Sequence, residues 1–267
     1  MTANQAPAVP SGGPAGGGLP LSATERTRHR RLRALGRTDR ESLYAVLDAG
    51  LVAHLGVITG GWPMVVPTVY GFDKDTLYLH GSVASQSLNT AGTDVCVTIT
   101  LTDGLVLARS VFEHTINYRS AMIYGRPRLV TDPAEKLAGL RAVTEQVAPG
   151  QWDYARRPSR KELAAVRLLA LPLDESSVKI RTGPPDDADT PDAALGLWAG
   201  ELPLAVTWEQ PIPDPALPLS IPVPGHIRSR AGAPAQGQAS ADHNNAARPP
   251  NGPQRQPARE KTRHPDR

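Results

Sequence analysis

The chain has 267 residues, 24 of them glycine and 27 proline, with only 4 % aromatic; it is longer than an average domain of roughly 100–200 residues, yet too rich in Gly and Pro to be packed throughout. The net charge of +3 divides into +5 over residues 21–40, +5 over 226–267 and −7 over 41–225, which argues against a nucleic-acid surface, since that would need basic side chains interleaved with aromatics on the folded part. A single cysteine, Cys96, excludes a disulfide framework and a cysteine metal site, and no window approaches 18 uninterrupted apolar residues, so the chain reads as cytoplasmic, with neither membrane nor nucleic acid as a partner.

In chain order, residues 1–24 are expected to be a disordered tail, because a segment such as MTANQAPAVPSGGPAGGGLP cannot bury enough apolar surface to offset its ordering entropy. A first helix is announced by Thr38-Asp39-Arg40-Glu41 as a capping box, with Leu43, Val46 and Leu47 on one face and Gly50 at its end. Three short β-rich runs follow, Leu51–Ile58, Trp62–Tyr70 and Thr76–His80, separated by turn residues including Gly60-Gly61. Ser82 is expected to start a short polar helix through ASQSLNTAG. Asp94–Leu101 then alternates as a strand, the Asp103-Gly104 turn leads into a second strand at Leu105–Val111, and Ser120–Val130 reads as one more.

The pattern then switches to helix, with Asp132 as N-cap, Pro133 at the first helical position and Glu135 three residues on. A second capping box, Ser159 to Glu162, precedes the apolar run Val166–Leu173, and Ser177–Arg181 reads as the last strand. Sequential strands joined by tight turns imply a mainly β fold, an antiparallel barrel with helices packed outside it. One domain is expected over residues 25–225, and a disordered basic tail over 226–267.

Two clusters carry chemistry. In the first, His80-Gly81-Ser82-Val83-Ala84-Ser85 stands where a strand gives way to the expected helix, and serine hydroxyls around a glycine at a helix start suit a phosphate; equally, Ser82 is a plain N-cap and His80 a satisfied strand-end histidine. In the second, Asn117-Tyr118-Arg119 follows Arg109 and His114, and the arginine forks suit either an anionic ligand or acidic residues of the same domain. His54 alternates with Val52 on a strand and reads as structural, and Cys96 as a small buried hydrophobe. Asp186, Asp187, Asp189 and Asp192 read as a solvated acidic loop, with no metal site.

The motifs HGSVAS, VCVTITLTDGLVLARS, NYRS, KIRTGPPDD and LWAG, taken in this order from about Arg37 to Leu204, resemble the pyridoxamine 5′-phosphate oxidase-related, flavin-nucleotide-binding family, in its branch similar to nitroimidazole-resistance proteins. The resemblance implies a split β-barrel homodimer holding FMN in clefts at the interface. It also implies that Pro67 and Thr68 lie beside the isoalloxazine ring, and that His80, Ser82 and Ser85 hold the ribityl phosphate. Asn117, Tyr118 and Arg119 would stand near the same cleft, contributed by the same chain or its partner, and Trp198 would cover the ring, unless it is a core or dimer-interface anchor. The chain departs from the family pattern at Gln86, where a basic residue is common, and at Glu113 and Thr115, where histidine and serine are common.

The resemblance favours an FMN-dependent oxidoreductase, in which the flavin carries the electron chemistry, with His80 as the one candidate proton donor. No Gly-x-Ser-x-Gly elbow or dinucleotide fingerprint competes with this reading. The alternative is a non-catalytic flavin or haem module, with His80 or His114 as haem ligand; a deazaflavin would want more basic residues along the cleft than Arg109 and Arg119.

Overall fold

In the computed structural model the chain is described over residues 20–237. Strand β1 (Gly36–Arg37) leads into helix α1 (Arg40–Ala49), whose N-cap is Asp39, its side chain accepting the Ser42 N–H. The cap thus sits one residue beyond the expected Thr38, and Gly50 closes the helix as read. The meander follows as β2 (Val52–Thr59), β3 (Trp62–Asp73) and β4 (Thr76–Ser82), with Gly60-Gly61 at φ +58° and +83° making the tight turn that matches the strand twist.

Strand β5 (Val95–Leu107) is one continuous strand of 13 residues, where two had been expected. The supposed turn at Asp103-Gly104 is a β-bulge: the register against β6 (Thr115–Gly125) shifts between Thr102 and Gly104 and then continues. After β7 (Arg128–Leu129) come α2 (Pro133–Val147), α3 (Gln151–Tyr154) and α4 (Arg160–Ala165). Asp132 caps α2, and Ser159 with Glu162 forms the reciprocal capping box of α4, both as read from the sequence. Strands β8 (Val166–Pro172), β9 (Ser176–Arg181) and β10 (Gly200–Pro203) and the short helix α5 (Gly225–Arg228) complete the order.

All strand pairs are antiparallel, in the order β1-β9-β6-β5-β2-β3-β4-β8-β7, with β10 added to β5. The sheet does not close, and its fold is a split barrel with flanking helices. The division arises because β3 serves two partners: Trp62–Val69 pairs with β2, and Tyr70–Asp73 pairs with β4.

The main core fills the inside of this curved sheet with aliphatic residues, among them Leu55, Leu77, Leu79, Ile99, Ile123 and Leu171, and α1 drives Leu43, Val46 and Leu47 into it. A second cluster lies between α2 and the other face of β4 and β8, built on Tyr78, Val143, Leu168 and Ala170. Gly71 permits that packing, because a Cβ there would stand 2.3 Å from the α2 backbone at Ala142 and Val143. Gly71→Ala is therefore expected to cost at least the ~1–3 kcal/mol of an overpacked core, seen as a lower urea midpoint at unchanged slope.

The packed chain extends past both expected boundaries. Leu21 is 6 % exposed, in the main core, and its N–H donates to the Thr38 carbonyl. At the other end, residues 226–237 do not form a disordered tail: Arg230 donates to the Val147 carbonyl at 2.7 Å and lies 4.2 Å over the Trp208 ring, and Thr207 bridges Pro234. The expected disorder of residues 1–19 and 238–267 lies outside the described residues. Among the described residues no helix is long and apolar enough to cross a membrane.

Candidate functional site

The division of β3 between two partners makes a gap. Pairing of β3 with β4 ends at Tyr70 and Leu79; beyond that point β4 runs on through His80, Gly81 and Ser82 against β8 alone. Pro67 and Thr68, on the β3 side, pair only with β2. Four of the residues expected at the cofactor, Pro67, Thr68, His80 and Ser82, thus flank the opening where the two strands part, and Ser85 follows in the next loop. The Thr68 hydroxyl is turned back to the Val69 carbonyl at 3.1 Å.

The helix expected after Ser82 is absent; only a three-residue 3-10 turn, Gln86–Leu88, is present. The Ser82 hydroxyl takes the Ala84 N–H at 3.2 Å, a local bond that competes with helical ones. Ser85 and Ser87 share a hydroxyl contact of 2.9 Å. What the loop presents is therefore a cluster of hydroxyls without a helix dipole behind it. His80 is not the satisfied strand-end histidine of the plainer reading: its half-buried ring holds the one buried side-chain nitrogen or oxygen among the described residues, Nδ1, with no hydrogen-bond partner. Burial lowers its pKa, which keeps the imidazole neutral at pH 7.

The second cluster is a set of structural ion pairs. Arg119 is 6 % exposed and grips Asp103 through two nitrogens, Nε at 3.0 Å and Nη2 at 2.7 Å, with Nη2 also donating to the Gly237 carbonyl. Asn117 is buried, donating to Gly183 and Glu201 and accepting from Arg181. Tyr118 pairs in register with Thr102 and Arg181 on the neighbouring strands. Within one chain, β6 stands three strand spacings from β3, about 14 Å along the sheet, so Asn117, Tyr118 and Arg119 do not meet the gap beside His80.

Arg109 is likewise committed, its backbone N–H and Nη1 holding the Asp187 carboxylate at 2.5 and 2.8 Å. Asp187, read as solvated, is 1 % exposed, and the Arg109 N–H bond is the main cause that holds its carboxyl below the usual range. Trp198 is 68 % exposed, so it is not a core residue of the single chain. His54, read as structural, is exposed on the outer sheet face, and Cys96 is only half-buried, on the same face opposite Gly56. Among the described residues no group of three or more His, Cys, Asp or Glu could hold a metal ion.

One residue that sequence reasoning passed over reaches the loop after β4 from the side away from the gap. Arg167, on β8, lies directly across from Gly81. In the sequence it is hidden as the second residue of an apolar run, and only the strand register brings it to the serine loop.

The sequence matches the pyridoxamine 5′-phosphate oxidase family over residues 39–180, more than half of the chain. The chain belongs to the pyridoxamine 5′-phosphate oxidase family. Among solved structures, the flavocytochrome Anf3 from Azotobacter vinelandii is 38 % identical, with TM-score 0.74 over 78 % of this chain and 97 % of its own. The FAD and haem binding protein from Mycobacterium smegmatis is 36 % identical, with TM-score 0.72 over 76 % of this chain and 100 % of its own. No curated protein matches the sequence. Similarity to these two structures extends well past the residues of the family match, and so takes in more than the barrel that defines the pyridoxamine 5′-phosphate oxidase family.

Proposed function

We propose that the protein binds a flavin and a haem at the opening between β3 and β4 and acts in the cytoplasm as a flavin-dependent oxidoreductase. The observation that carries this is near-complete coverage, 97 % and 100 %, of a flavocytochrome and of an FAD and haem binding protein at 38 % and 36 % identity. The residues at the opening fit such groups. The β3 edge at Pro67–Val69 has no strand partner on the β4 side, so backbone groups there are open to the polar rim of an isoalloxazine, while Ser82 and Ser85 offer hydroxyls to phosphate oxygens. A bound flavin supplies one- and two-electron chemistry and a haem one-electron chemistry.

Of the two histidines considered as haem ligand, His80 fits better. A ligating imidazole binds metal through a deprotonated nitrogen while its other nitrogen carries the proton. The His114 Nδ1 accepts the Ala108 N–H at 3.1 Å, which in the neutral ring leaves the proton on Nε2. His80 is neutral and no protein group fixes its tautomer.

A second copy completes the site in this proposal. The outer face of the sheet exposes Leu202, Leu105 and Ile116 in one cross-strand row, together with Val52, Ile58, Val65 and Met122, apolar side chains of the kind that a second copy would cover. Tyr118 and Trp198 of one copy would then be the residues that reach the cofactor of the other.

The flavin in this reading is FAD, where FMN was expected from the sequence. Titration of the cofactor-free protein with FAD, FMN and haemin tests it. The expected result is tighter binding of FAD than of FMN, haemin uptake with a Soret band, and a dimer by sedimentation. Equal or tighter binding of FMN would return the flavin to FMN, and failure to bind haemin would remove the haem.

A further inference from the structure

Between β10 and α5 the chain stands clear of its own barrel. Residues 204–222 are exposed but for Trp208 and Pro211, and two side chains are wholly in water, Ile212 at 93 % and Leu219 at 105 % exposure. We propose that residues 209–223 are an arm that packs on the β2–β3 hairpin of a second copy of this chain. This inference rests on the dimer of the reading above.

The arm is fixed at its feet and free between them. At one foot Trp208 donates its N–H to the Ala233 carbonyl at 3.0 Å, and its own carbonyl accepts the Gly232 N–H at 2.8 Å. At the other, the Pro224 carbonyl takes the N–H groups of Ile227 and Arg228 as α5 begins, and His226 Nε2 meets Gln151 Oε1 at 2.8 Å. Among the described residues, the hydrogen bonds of residues 209–222 stay inside the arm: Ala216 and Leu217 donate to Asp214, and Ile221 donates to the Pro218 carbonyl.

Its composition is that of a contact surface. Six of residues 211–224 are proline, and Ile212, Leu217, Leu219, Ile221 and Val223 stand among them, while Glu209 and Asp214 are the only charges in residues 209–223. Flexible linkers are built from Gly and Ser, whereas proline fixes φ and so lowers the entropy lost when the arm is ordered on a partner. Compact surface loops pack on their own side chains. Here Ile212 and Leu219 remain in water, so they gain nothing from the fold of their own chain.

A matching surface lies on the same chain. The β2–β3 hairpin has no Asp, Glu, Lys or Arg from residue 52 to 72, and it exposes Ile58, Trp62 and Val65 toward its tip. In a folded part that carries −7 over residues 41–225, an arm with two carboxylates meets no like charge on this hairpin. Arm and tip stand at opposite ends of the barrel. Arg230, close to the first foot, donates to the Val147 carbonyl, and Gln146 donates to the Gly50 carbonyl at 2.9 Å, so the feet lie where α1 gives way to β2. The tip lies at the far end of β2, roughly 23 Å along the strand from Val52 to Thr59. A twofold axis perpendicular to the strands lays each arm on the other copy's hairpin, the self-complementary contact of a closed dimer. The exposed row Leu202, Leu105 and Ile116 begins on β10, the strand that leads into the arm, so the arm continues the face that a second copy covers.

The experiment measures the dimer dissociation constant by sedimentation equilibrium for the parent, Leu219→Ala, Trp62→Ala and the double variant. A fifth chain has residues 209–223 replaced by a Gly-Ser repeat of equal length, and far-UV circular dichroism controls for the fold. The proposal expects each single variant to weaken the dimer about tenfold or more, the scale of an interface residue that matters, and the replaced arm to weaken it further. The double variant should lose less than the product of the two single losses, because the two side chains pack on one another. An unchanged constant with the replaced arm would overturn the proposal while leaving the dimer in place. Losses that multiply as independent factors would overturn the hairpin as the arm's site. A parent that sediments as a monomer throughout would overturn the dimer itself, and the arm's role with it.

Discussion

Arg119→Ala is expected to destabilise the barrel by about 3–5 kcal/mol, the cost of breaking a buried ion pair and leaving its partner charge unmatched. For a folded unit of this size that is a fall in Tm of roughly 6–20 °C, at about 2–4 °C per kcal/mol. The arginine is buried, holds Asp103 with two nitrogens and reaches the Gly237 carbonyl, so it pins three segments: the bulge in β5, strand β6 and the returning C-terminal chain. A contact made only with a cofactor predicts the opposite, an unchanged Tm without cofactor and a specific loss of binding. Thermal melts of cofactor-free parent and variant decide between them. Replacing both partners, Arg119→Met with Asp103→Leu, should recover part of the loss, because no unpaired charge then remains in the interior.

His80→Ala is expected to abolish haem uptake while sparing the fold. Loss of the ligand itself should exceed the about 10–100-fold that loss of an outer-shell partner costs in metal affinity. The ring makes no hydrogen bond through its buried Nδ1, so its removal leaves no protein group unsatisfied. The readout is the Soret band in a haemin titration, with far-UV circular dichroism as the control. pH gives an independent check. Burial depresses the folded-state pKa of His80 below the ordinary value near 6.5. In the cofactor-free protein its contribution to stability is therefore complete above the unfolded pKa and is lost as pH falls through the folded one, since the unfolded chain then binds the extra proton. Urea midpoints measured from neutral to acid pH should fall less steeply in His80→Ala than in the parent.

Much of the fold was legible because it is written in local patterns. Alternation marked the meander, Gly60-Gly61 marked its tight turn, and Asp132 and Ser159 marked helix starts, each through bonds between residues three apart. The errors fall where a distant partner overrides the local signal. Asp103-Gly104 has the composition of a hairpin turn, but Arg119 holds the aspartate and β10 packs alongside, so the strand bulges and runs on. The stretch after Ser82 has helical composition, but the Ser82 hydroxyl takes up the Ala84 N–H and only a single 3-10 turn survives.

The site was legible in part for the same reason. Pro67, Thr68, His80 and Ser82 come together through neighbouring strands of one meander, which a sequence can display. Arg119 and Arg109 carried the right chemistry for an anion, but whether an arginine is free depends on a carboxylate 16 or 78 residues away, and no spacing rule reports that. Arg167 is the converse case, an arginine in an apolar run that only its register with Gly81 brings to the loop after β4, where it meets Asn89.

The most direct test is the visible absorption spectrum of the untagged protein as purified, with the released cofactors identified by mass. The account predicts a Soret band together with flavin absorption, and masses of haem and FAD. A colourless protein that also takes up neither flavin nor haemin when they are added would contradict it, leaving a split barrel whose opening between β3 and β4 serves some other end.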